Sequence, residues 1–320
     1  MNCSIKPPLP KHVKISPSLI CNLHCPLCPS GLRGMNYSSK LMTLKTFSII
    51  LNKLPSSIKN VSLYNLGEPF LNPNLLFMIK KLKEKDYKVE IHTNFSFHKK
   101  KNFFEKLVMS GLDTLIISLD GASQKTYSHY RKGGDFNLVI ENLRQIQKLN
   151  QQKNNGSLKV IWKFLINKYT EHEIEKAKNL AESLGICFIT NLMGLGDDLV
   201  DYQIPTSFDE RKKTWLPNNE KHIKPCYKNN EPTPYLFNQI CSELFLNPVI
   251  KPDGKITCCC WITNKKNVFG DLMKDSFEDI WYNDIYRYSR SLFIENTDNE
   301  LIIPYPTICE NCKNFRKKTK

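Results

Sequence analysis

The amino-acid sequence predicts an α/β fold with a largely parallel sheet, on three observations. Strand-like and helix-like segments alternate over the first two-thirds of the chain, and six strands can be distinguished. Repeated β-then-α units favour parallel strands with helices packed outside them. The alternation stops near residue 195, and cysteines gather at 21–28, 241–260 and 309–312. We therefore expect a six-unit α/β part followed by a smaller cysteine-rich part.

The six strands are predicted from short apolar runs and from the alternation of apolar and polar residues. They are expected at 12–20, 61–66, 87–93, 114–119, 158–166 and 186–193. Apolar residues at helical spacing predict helices at 43–54, 72–85, 99–110, 136–150 and 171–184. Thr43 and Asn72 are the expected N-caps, Pro73 suits a first helical position, and Gly111 and Gly185 are expected to end their helices. An open doubly wound sheet and a partly closed (β/α)6 barrel both fit this order, and in both folds ligands bind at the carboxyl ends of the strands.

The last third of the chain has a different character. Residues 196–240 are rich in Asp, Lys, Asn and Pro and are predicted to form an irregular connector. Segments 245–250 and 255–257 flank a Pro252-Asp253-Gly254 turn, which predicts a hairpin, and 277–293 is expected to be a helix. These features divide the chain into residues 1–195, a connector at 196–224 and a C-terminal domain at 225–320.

Composition and charge exclude several classes of protein. The chain has 320 residues, 41% of them hydrophobic and 24% charged, which is ordinary for a globular protein. It has no run of about 18 apolar residues that could span a membrane, and its first residues lack the apolar core of a secretory signal. We therefore expect a cytoplasmic protein with no membrane partner. The formal charge of +15 is compatible with a nucleic acid partner, but the basic residues are spread along the chain and are not interleaved with aromatic residues, so a lysine-rich solvated surface is favoured.

The 12 cysteines indicate metal binding, because clustered cysteines in a reducing compartment more often bind metal than form disulfides. Cys21, Cys25 and Cys28 directly follow the first strand, so three thiolates on one loop can surround one metal centre. Structural zinc usually has four protein ligands, and here only His24 is available as a fourth. A [4Fe–4S] cluster normally takes four cysteines, so three leave one iron open to a substrate or cofactor. The isolated Cys187 is expected to be a small buried residue.

The CxxxCxxC spacing, placed at the end of the first of six βα units, resembles the signature of the radical S-adenosylmethionine (SAM) superfamily. The resemblance implies a partial (β/α)6 TIM-like barrel in which Cys21, Cys25 and Cys28 hold a [4Fe–4S] cluster. It also implies that the open iron binds the amino and carboxylate groups of SAM, and that reductive cleavage yields a 5′-deoxyadenosyl radical that abstracts hydrogen from a substrate. Leu27 departs from the family, which often has an aromatic residue there, and this departure affects the expected adenine contact.

Further strand-end motifs resemble cofactor contacts of the same family. Gly67-Glu68-Pro69 matches its GEP motif, in which the backbone and the Glu contact the amino group of the cofactor. The resemblance implies further cofactor contacts from Thr93, Asn94, Ser118, Asp120, Arg131, Asn167 and Met193. For Arg131 a surface position is the alternative interpretation, and for Met193 it is simple core packing.

The C-terminal cysteines resemble the SPASM/twitch extension of radical SAM enzymes, over about residues 241–312. The shared features are a DGK turn, adjacent cysteines, a GDL segment before a helix with Ile and Trp, and a final CxxC. This chain lacks the later cysteine pair of the full extension, so the resemblance implies one auxiliary [4Fe–4S] cluster, with the ligands Cys241, Cys259, Cys309 and Cys312. Hairpin alternation turns Cys258 and Cys260 away from Cys259, which supports one ligand among the three without deciding which. A zinc site with the same four thiolates is the alternative, since both metals accept them.

The two cluster sites together lead to a functional hypothesis. Four cysteine ligands leave no open iron, so the auxiliary cluster is expected to carry electrons. That suits an overall two-electron oxidation, or a crosslink within a peptide, of a peptide or small-molecule substrate, with an electron donor such as flavodoxin or ferredoxin. The alternatives are a nucleic-acid-modifying radical enzyme and a non-catalytic iron–sulfur or zinc protein. Tyr64, His92 and Asp197 lie near strand ends, but a structural role fits each equally well, so no acid or base is assigned.

Overall fold

A nine-stranded sheet organises the chain, of which the computed structural model describes residues 4–37, 40–99, 101–196, 201–228, 241–294 and 307–312. The strands are β1 (His12–Ile15), β2 (Asn60–Ser62), β3 (Lys88–Thr93), β4 (Thr114–Ser118), β5 (Lys159–Ile166), β6 (Cys187–Leu192), β7 (Val249–Ile250), β8 (Lys255–Thr257) and β9 (Gly270–Asp271). Their order in the sheet is β6-β5-β4-β3-β2-β1-β7-β8-β9. Strands β1 to β6 pair in parallel, each beside its predecessor in the chain. The predicted α/β class, with a partial (β/α)6 TIM-like barrel, is confirmed.

Helices lie between the parallel strands and in the C-terminal part of the chain. They are α1 (Leu44–Lys53), α2 (Leu75–Lys83), α3 (Lys101–Val108), α4 (Gln124–Tyr130), α5 (Phe136–Asn154), α6 (Ile174–Ser183), α7 (Phe208–Trp215), α8 (Pro225–Lys228), α9 (Ser242–Leu246), α10 (Phe277–Trp281) and α11 (Asp284–Ser291). The predicted cap of α1 is confirmed, because Thr43 Oγ1 accepts a hydrogen bond from Thr46 N at 3.1 Å. The predicted cap of α2 is wrong, because Asn74 precedes that helix and the Asn72 amide instead donates to Pro17 O at 2.8 Å. Helix α4 is not predicted by the sequence pattern.

The main hydrophobic core lies between the sheet and the helices. Phe47 and Ile50 of α1, Leu143 of α5 and Trp162 of β5 are all fully buried in it. Removing side chains of this size from water stabilises the fold by about 1.5–3 kcal/mol each. The helices thereby hold the carboxyl ends of β1 to β6, and the loops that follow them, on a rigid support.

The C-terminal hairpin continues the barrel sheet. Strand β7 pairs in parallel with β1, and Ser16 N donates to Ile250 O at 2.8 Å. Strands β8 and β9 then add in antiparallel fashion. The predicted hairpin is present, but its first arm is shorter than expected because residues 245–246 belong to α9. The cysteine-rich part is thus joined to the barrel by shared backbone hydrogen bonds.

Two expectations for the second half of the chain are wrong. The connector predicted to be irregular contains α7, which begins with a capping box between Ser207 and Glu210, and α8. Trp215 at the end of α7 packs edge-on against Tyr130, with ring centroids 5.4 Å apart. The segment is rich in charged residues, so the sequence pattern does not predict this buried contact. The helix predicted at 277–293 is two helices, because the Asn283 side chain accepts from Tyr286 N at 2.9 Å and starts α11 afresh.

Three further expectations concern single positions and the membrane. Cys187 is exposed at the start of the edge strand β6, so the expectation of a buried residue is wrong. No helix in the described ranges is long and apolar enough to cross a membrane. Asp197 lies outside the described residues.

Candidate active site

The loop after β1 folds its three cysteines around one cavity. Cys21, Cys25 and Cys28 line an open cavity of about 670 Å³ at the carboxyl ends of the strands. The loop turns tightly, with Cys28 N donating to Cys25 O at 3.2 Å. Gly31 permits this turn, because a Cβ there would lie 2.6 Å from the backbone N and O of Cys25. The local backbone therefore points three sulfur atoms at one space.

Hydrogen-bond donors surround the cysteine sulfurs. Leu23 N lies 3.4 Å and Asn94 Nδ2 lies 3.6 Å from Cys21 Sγ, and Arg131 Nη1 lies 3.9 Å from Cys25 Sγ. Burial raises the pKa of Cys21 to about 11 and that of Cys25 to about 12, so both thiols keep their protons when no metal is bound. Amide and guanidinium donors stabilise a negatively charged sulfur, and binding of a metal releases the thiol protons.

The three thiolates of the loop after β1 suit an iron–sulfur cluster. In the part of the chain that the structure describes, no three His, Cys, Asp or Glu side chains are close enough together to hold one metal ion. In an iron–sulfur cube each cysteine binds a different iron, so the sulfurs stand farther apart than around one zinc ion. Three cysteines facing one cavity match a [4Fe–4S] cluster with one open iron.

A buried carboxylate lies on the wall of the same cavity. Glu68 is 1% exposed and accepts hydrogen bonds from Thr93 Oγ1 and Asn94 N, both at 2.8 Å. Burial raises the pKa of Glu68 to about 7, and these hydrogen bonds oppose the rise. An anionic oxygen with a free lone pair suits an ammonium group such as that of SAM.

The turn that presents Glu68 depends on Gly67. Its φ of +93° is in the left-handed region, and a Cβ there would lie 2.5 Å from Ser18 O. The loop after β1 and the loop after β2 are therefore in backbone contact, which is strengthened by Glu68 N donating to Ile20 O at 2.7 Å.

Arg131 reaches the cavity from the end of α4. Its Nε donates to Asp120 Oδ2 at 2.6 Å, and Asp120 Oδ1 accepts from Leu165 N at 2.9 Å. Burial lowers the pKa of Arg131, but the negative charges of the Asp120 carboxylate and of an ionised Cys25 hold it well above its usual range. Arg131 is thus not a surface arginine, and Asp120 positions it.

The predicted cofactor residues divide into two groups. Those that line the cavity with the cysteines are Gly67, Glu68, Thr93, Asn94, Ser118 and Arg131. Pro69, Asp120, Asn167 and Met193 are not among its lining residues. Met193 is buried beside the cysteine loop, in a cluster that also contains Cys25 and Leu27.

Sequence reasoning missed one charged residue in the cavity, Lys163. It lines the cavity with Tyr64 and His92, whose rings stack with centroids 3.7 Å apart. Lys163 Nζ lies 3.3 Å from His92 Nδ1. Burial lowers the pKa of Lys163, and the nearby Arg131 lowers it further. A signal was present in the sequence, since Lys163 interrupts the otherwise apolar interior of β5.

The auxiliary cysteines also come together, but the hairpin cysteine beside Cys309 is Cys258, whereas the expected ligand is Cys259. Cys258 Sγ lies 3.8 Å from Cys309 Sγ. The Cys309 and Cys312 sulfurs both act on Cys241, whose pKa is raised above its usual range mainly by burial. Cys259 instead faces Cys260, which is the main cause of its raised pKa. The hairpin thus presents two adjacent cysteines, Cys258 and Cys259, as candidates for one ligand position.

The geometry defines an enzyme class in which three cysteines hold a cluster beside a SAM site. Residues 15–181 match the Radical SAM superfamily, and residues 241–313 match SPASM, an iron–sulfur cluster-binding domain. The chain belongs to the radical SAM superfamily. It is an enzyme whose cofactors are a [4Fe–4S] cluster and SAM, and its SPASM domain provides for additional iron–sulfur binding.

The relatives differ in what they act on. A probable GTP 3′,8-cyclase of Saccharolobus islandicus is 24% identical over 289 residues, covering 83% of this chain and 88% of that protein. The structure of Streptococcus suis SuiB bound to its precursor peptide SuiA superposes with a TM-score of 0.66 at 17% identity, covering 90% of this chain and 68% of that one. BtrN in complex with AdoMet and 2-DOIA gives a TM-score of 0.53 at 14% identity, covering 89% and 87%. The two structural likenesses show the shared fold.

Proposed function

We propose that this enzyme abstracts hydrogen from a substrate that carries an anionic group, and that the outcome is a two-electron oxidation or a crosslink of a small molecule or peptide. When bound, the cluster with SAM supplies the 5′-deoxyadenosyl radical, and the auxiliary cluster supplies a site for the second electron. The observation that supports an anionic substrate is the side chain of Lys163, which lines the cavity and takes part in no ion pair among the described residues.

The residues of this chain divide the work of binding the cofactor. Cys21, Cys25 and Cys28 bind the irons, and Asn94 and Arg131 donate to the cysteine sulfurs. With SAM bound, Glu68 would accept a hydrogen bond from its ammonium group, and Arg131, held by Asp120, would bind its carboxylate. The other residues of the proposed SAM site are Gly67, Pro69, Thr93, Ser118, Asn167 and Met193.

Lys163 is assigned to the substrate because it lines the cavity without a direct ion pair, although the Asp120 and Glu90 carboxylates act on its charge from farther away. None of the ion pairs formed by described residues includes it. Its neighbour His92 has a pKa lowered by burial and by the positive charge of Lys163, which favours the neutral ring beside this cation. A partly buried cation that forms no direct ion pair favours a phosphate or carboxylate in the space beside it. GTP, the substrate in the name of one relative, and an acidic peptide both provide such a group.

Replacing Lys163 tests this proposal. We expect Lys163→Met to raise the KM for the anionic substrate by roughly tenfold or more, as for loss of a charged hydrogen bond. Formation of 5′-deoxyadenosine without substrate should be unchanged, because Lys163 is not assigned to SAM. Lys159→Met, at the exposed start of the same strand, is the matched control. GTP and a glutamate-containing peptide are the probes for the reconstituted enzyme, and equal KM values for both variants would contradict an anion site at Lys163.

For the auxiliary site we propose one [4Fe–4S] cluster held by Cys241, Cys259, Cys309 and Cys312, the set that the SPASM-like spacing implies. The short distance from Cys258 to Cys309 makes Cys258 the competing ligand. Single serine variants of Cys258 and Cys259 distinguish the two. We expect Cys259→Ser to reduce the iron content from about eight to about four per chain; a loss of iron confined to Cys258→Ser would assign Cys258 instead.

The proposed organisation places the barrel at 1–195, a connector at 196–224 and the auxiliary domain at 225–320. We also propose a cytoplasmic location, because thiolate ligands and reducible clusters are maintained in a reducing compartment. The partner that supplies electrons is proposed to be a flavodoxin or a ferredoxin.

A further inference from the structure

A group of unpartnered hydrogen-bond donors lies near the auxiliary cysteines. Arg290 is completely buried, and Trp281 and Tyr286 are each at most 1% exposed. Trp281 Nε1, Tyr286 Oη and two nitrogens of Arg290, Nε and Nη2, are buried without a hydrogen-bond partner in the described structure. Buried polar groups are rarely left unsatisfied, and each such group costs about 1–3 kcal/mol. Several unpartnered donors in one place therefore point to a shared acceptor.

The packing fixes the direction of Arg290. Its Cζ lies 4.0 Å from the ring centroid of Trp281 and 4.6 Å from that of Tyr286. Its Nη1 donates to Trp281 O at 2.7 Å. One nitrogen is thus satisfied and the guanidinium plane is held between two rings, which leaves Nε and Nη2 to bind something else.

Arg290 also carries an uncompensated charge. Among the described residues, it takes part in no ion pair. Burial lowers its pKa to about 10, so it remains a cation at neutral pH. A buried cation without an anion is costly, and the missing acceptor is therefore expected to be negatively charged.

The auxiliary cysteines are candidates for that negative charge. Cys258 lies in the same buried cluster as Trp281 and Tyr286, and Cys309 packs against that cluster. Arg290 Cζ lies 5.9 Å from the ring of Phe245, in the helix that Cys241 caps, and the charge of a Cys258 thiolate would favour the charged form of Arg290. Ser289, which precedes Arg290 in α11, donates to Thr307 Oγ1 at 3.1 Å, and both hydroxyls face the Cys309 sulfur. Because positions three and four apart share a face of a helix, Tyr286, Ser289 and Arg290 present one side of α11 to this site.

We propose that Arg290, together with Trp281 and Tyr286, donates hydrogen bonds to the sulfur atoms of the auxiliary cluster and raises its reduction potential. The inference rests on the proposed function, in which these cysteines hold iron and sulfide. The potential of an iron–sulfur cluster depends on its net charge, its burial and the hydrogen bonds to its sulfurs. A reduced cluster carries one more negative charge than an oxidised one, so a buried cation favours the reduced form. Arg290 is a positioning residue that acts through the sulfurs.

A redox titration of the full chain, reconstituted anaerobically and followed by electron paramagnetic resonance, tests the proposal. We expect Arg290→Met to lower the midpoint potential of the auxiliary cluster and to leave that of the first cluster unchanged, with the iron content retained. Arg290→Lys keeps the charge but loses the planar donors, and should give a smaller shift in the same direction. Arg287→Met is the matched control, because Arg287 lies one turn earlier on α11 and is paired with Asp284 at 2.9 Å; it should cause no shift.

The possible results separate this inference from the proposed function. An unchanged auxiliary potential in Arg290→Met, with full iron content, overturns the role of Arg290. Zinc, or only about four irons, in the unmodified protein overturns the auxiliary cluster itself. If Arg290→Met does not retain its iron, Tyr286→Phe decides, since it removes one donor at constant charge and nearly constant volume. A potential equal to that of the unmodified protein would then count against the donor group.

Discussion

At the scale of single residues, burial decides the charge of Glu68. Water is excluded from the carboxylate, so its pKa rises from 4.5 to about 7 despite the hydrogen bonds from Thr93 and Asn94. A carboxylate that titrates near neutral pH can change its affinity for a cation within the physiological range.

The pKa of Glu68 predicts the pH dependence of SAM binding. The carboxyl is mostly protonated and neutral below pH 7 and mostly ionised above it, so we expect the Kd for SAM to fall as the pH rises from 6 to 8. Glu68→Gln should remove this dependence and weaken binding by roughly tenfold to a hundredfold, as for loss of a charged hydrogen bond. Equilibrium dialysis of the reconstituted enzyme at several pH values measures both effects.

Glu173→Gln is the matched control for this experiment. Glu173 is also buried, but its carboxylate accepts from Ala122 N at 2.7 Å and it is not among the lining residues of the cavity. The same pH dependence in Glu68→Gln as in the unmodified enzyme would rule out Glu68 as the titrating group.

At the scale of elements, the loops after β1 and β2 form one unit. The backbone of the cysteine loop and that of the Gly67–Glu68 turn touch between Ser18, Ile20 and Gly67. Because there is no room for a side chain at this contact, the position of the carboxylate relative to the cysteines depends on glycine.

The contact predicts that Gly67→Ala is destabilising. Its φ of +93° is unfavourable for alanine and its Cβ would meet Ser18 O at 2.5 Å, so we expect a loss of about 1–3 kcal/mol in the free energy of unfolding. Gly185→Ala is the control: Gly185 also has a positive φ, +66°, but a Cβ there meets only Gln147 Nε2 at 3.6 Å. Denaturant unfolding of the two variants gives the comparison. A smaller loss in Gly67→Ala than in Gly185→Ala would show that the backbone contact is not tight.

At the scale of the whole molecule, the sheet crosses the proposed domain boundary. Strand β7 supplies hydrogen-bond partners to β1, which would otherwise be an edge strand of the barrel. An unpaired edge strand with an apolar face promotes aggregation. The auxiliary part therefore stabilises the barrel as well as holding cysteines.

A chain that ends at residue 224 should accordingly be less soluble and unfold at a lower temperature than the full chain. The physical reason is the exposure of the β1 edge and of the surface beside Val13 and Ile15, which are completely buried in the full chain. Co-expression of residues 241–320 as a separate chain should restore part of the solubility. A truncated chain that is monomeric and as thermostable as the full chain would show that the shared strands contribute little.

The sequence by itself determined the class of this protein. Six βα units, the spacing of Cys21, Cys25 and Cys28, and Gly67-Glu68-Pro69 after the second strand are all local patterns, because a short stretch of chain encodes each of them. Strand ends, caps and metal-binding loops depend mainly on neighbouring residues, and these patterns indicated both the barrel and its cofactors.

Tertiary structure alone decided which distant side chains meet. Lys163 lines the same cavity as Cys21, and β7 pairs with β1. In both cases more than a hundred residues of the chain separate the two partners. The unpartnered donors of Arg290 became visible only once its packing against Trp281 was known. The physical reason is that unpaired charges, buried donors and shared sheet edges are properties of a packed surface, to which segments far apart in the chain contribute.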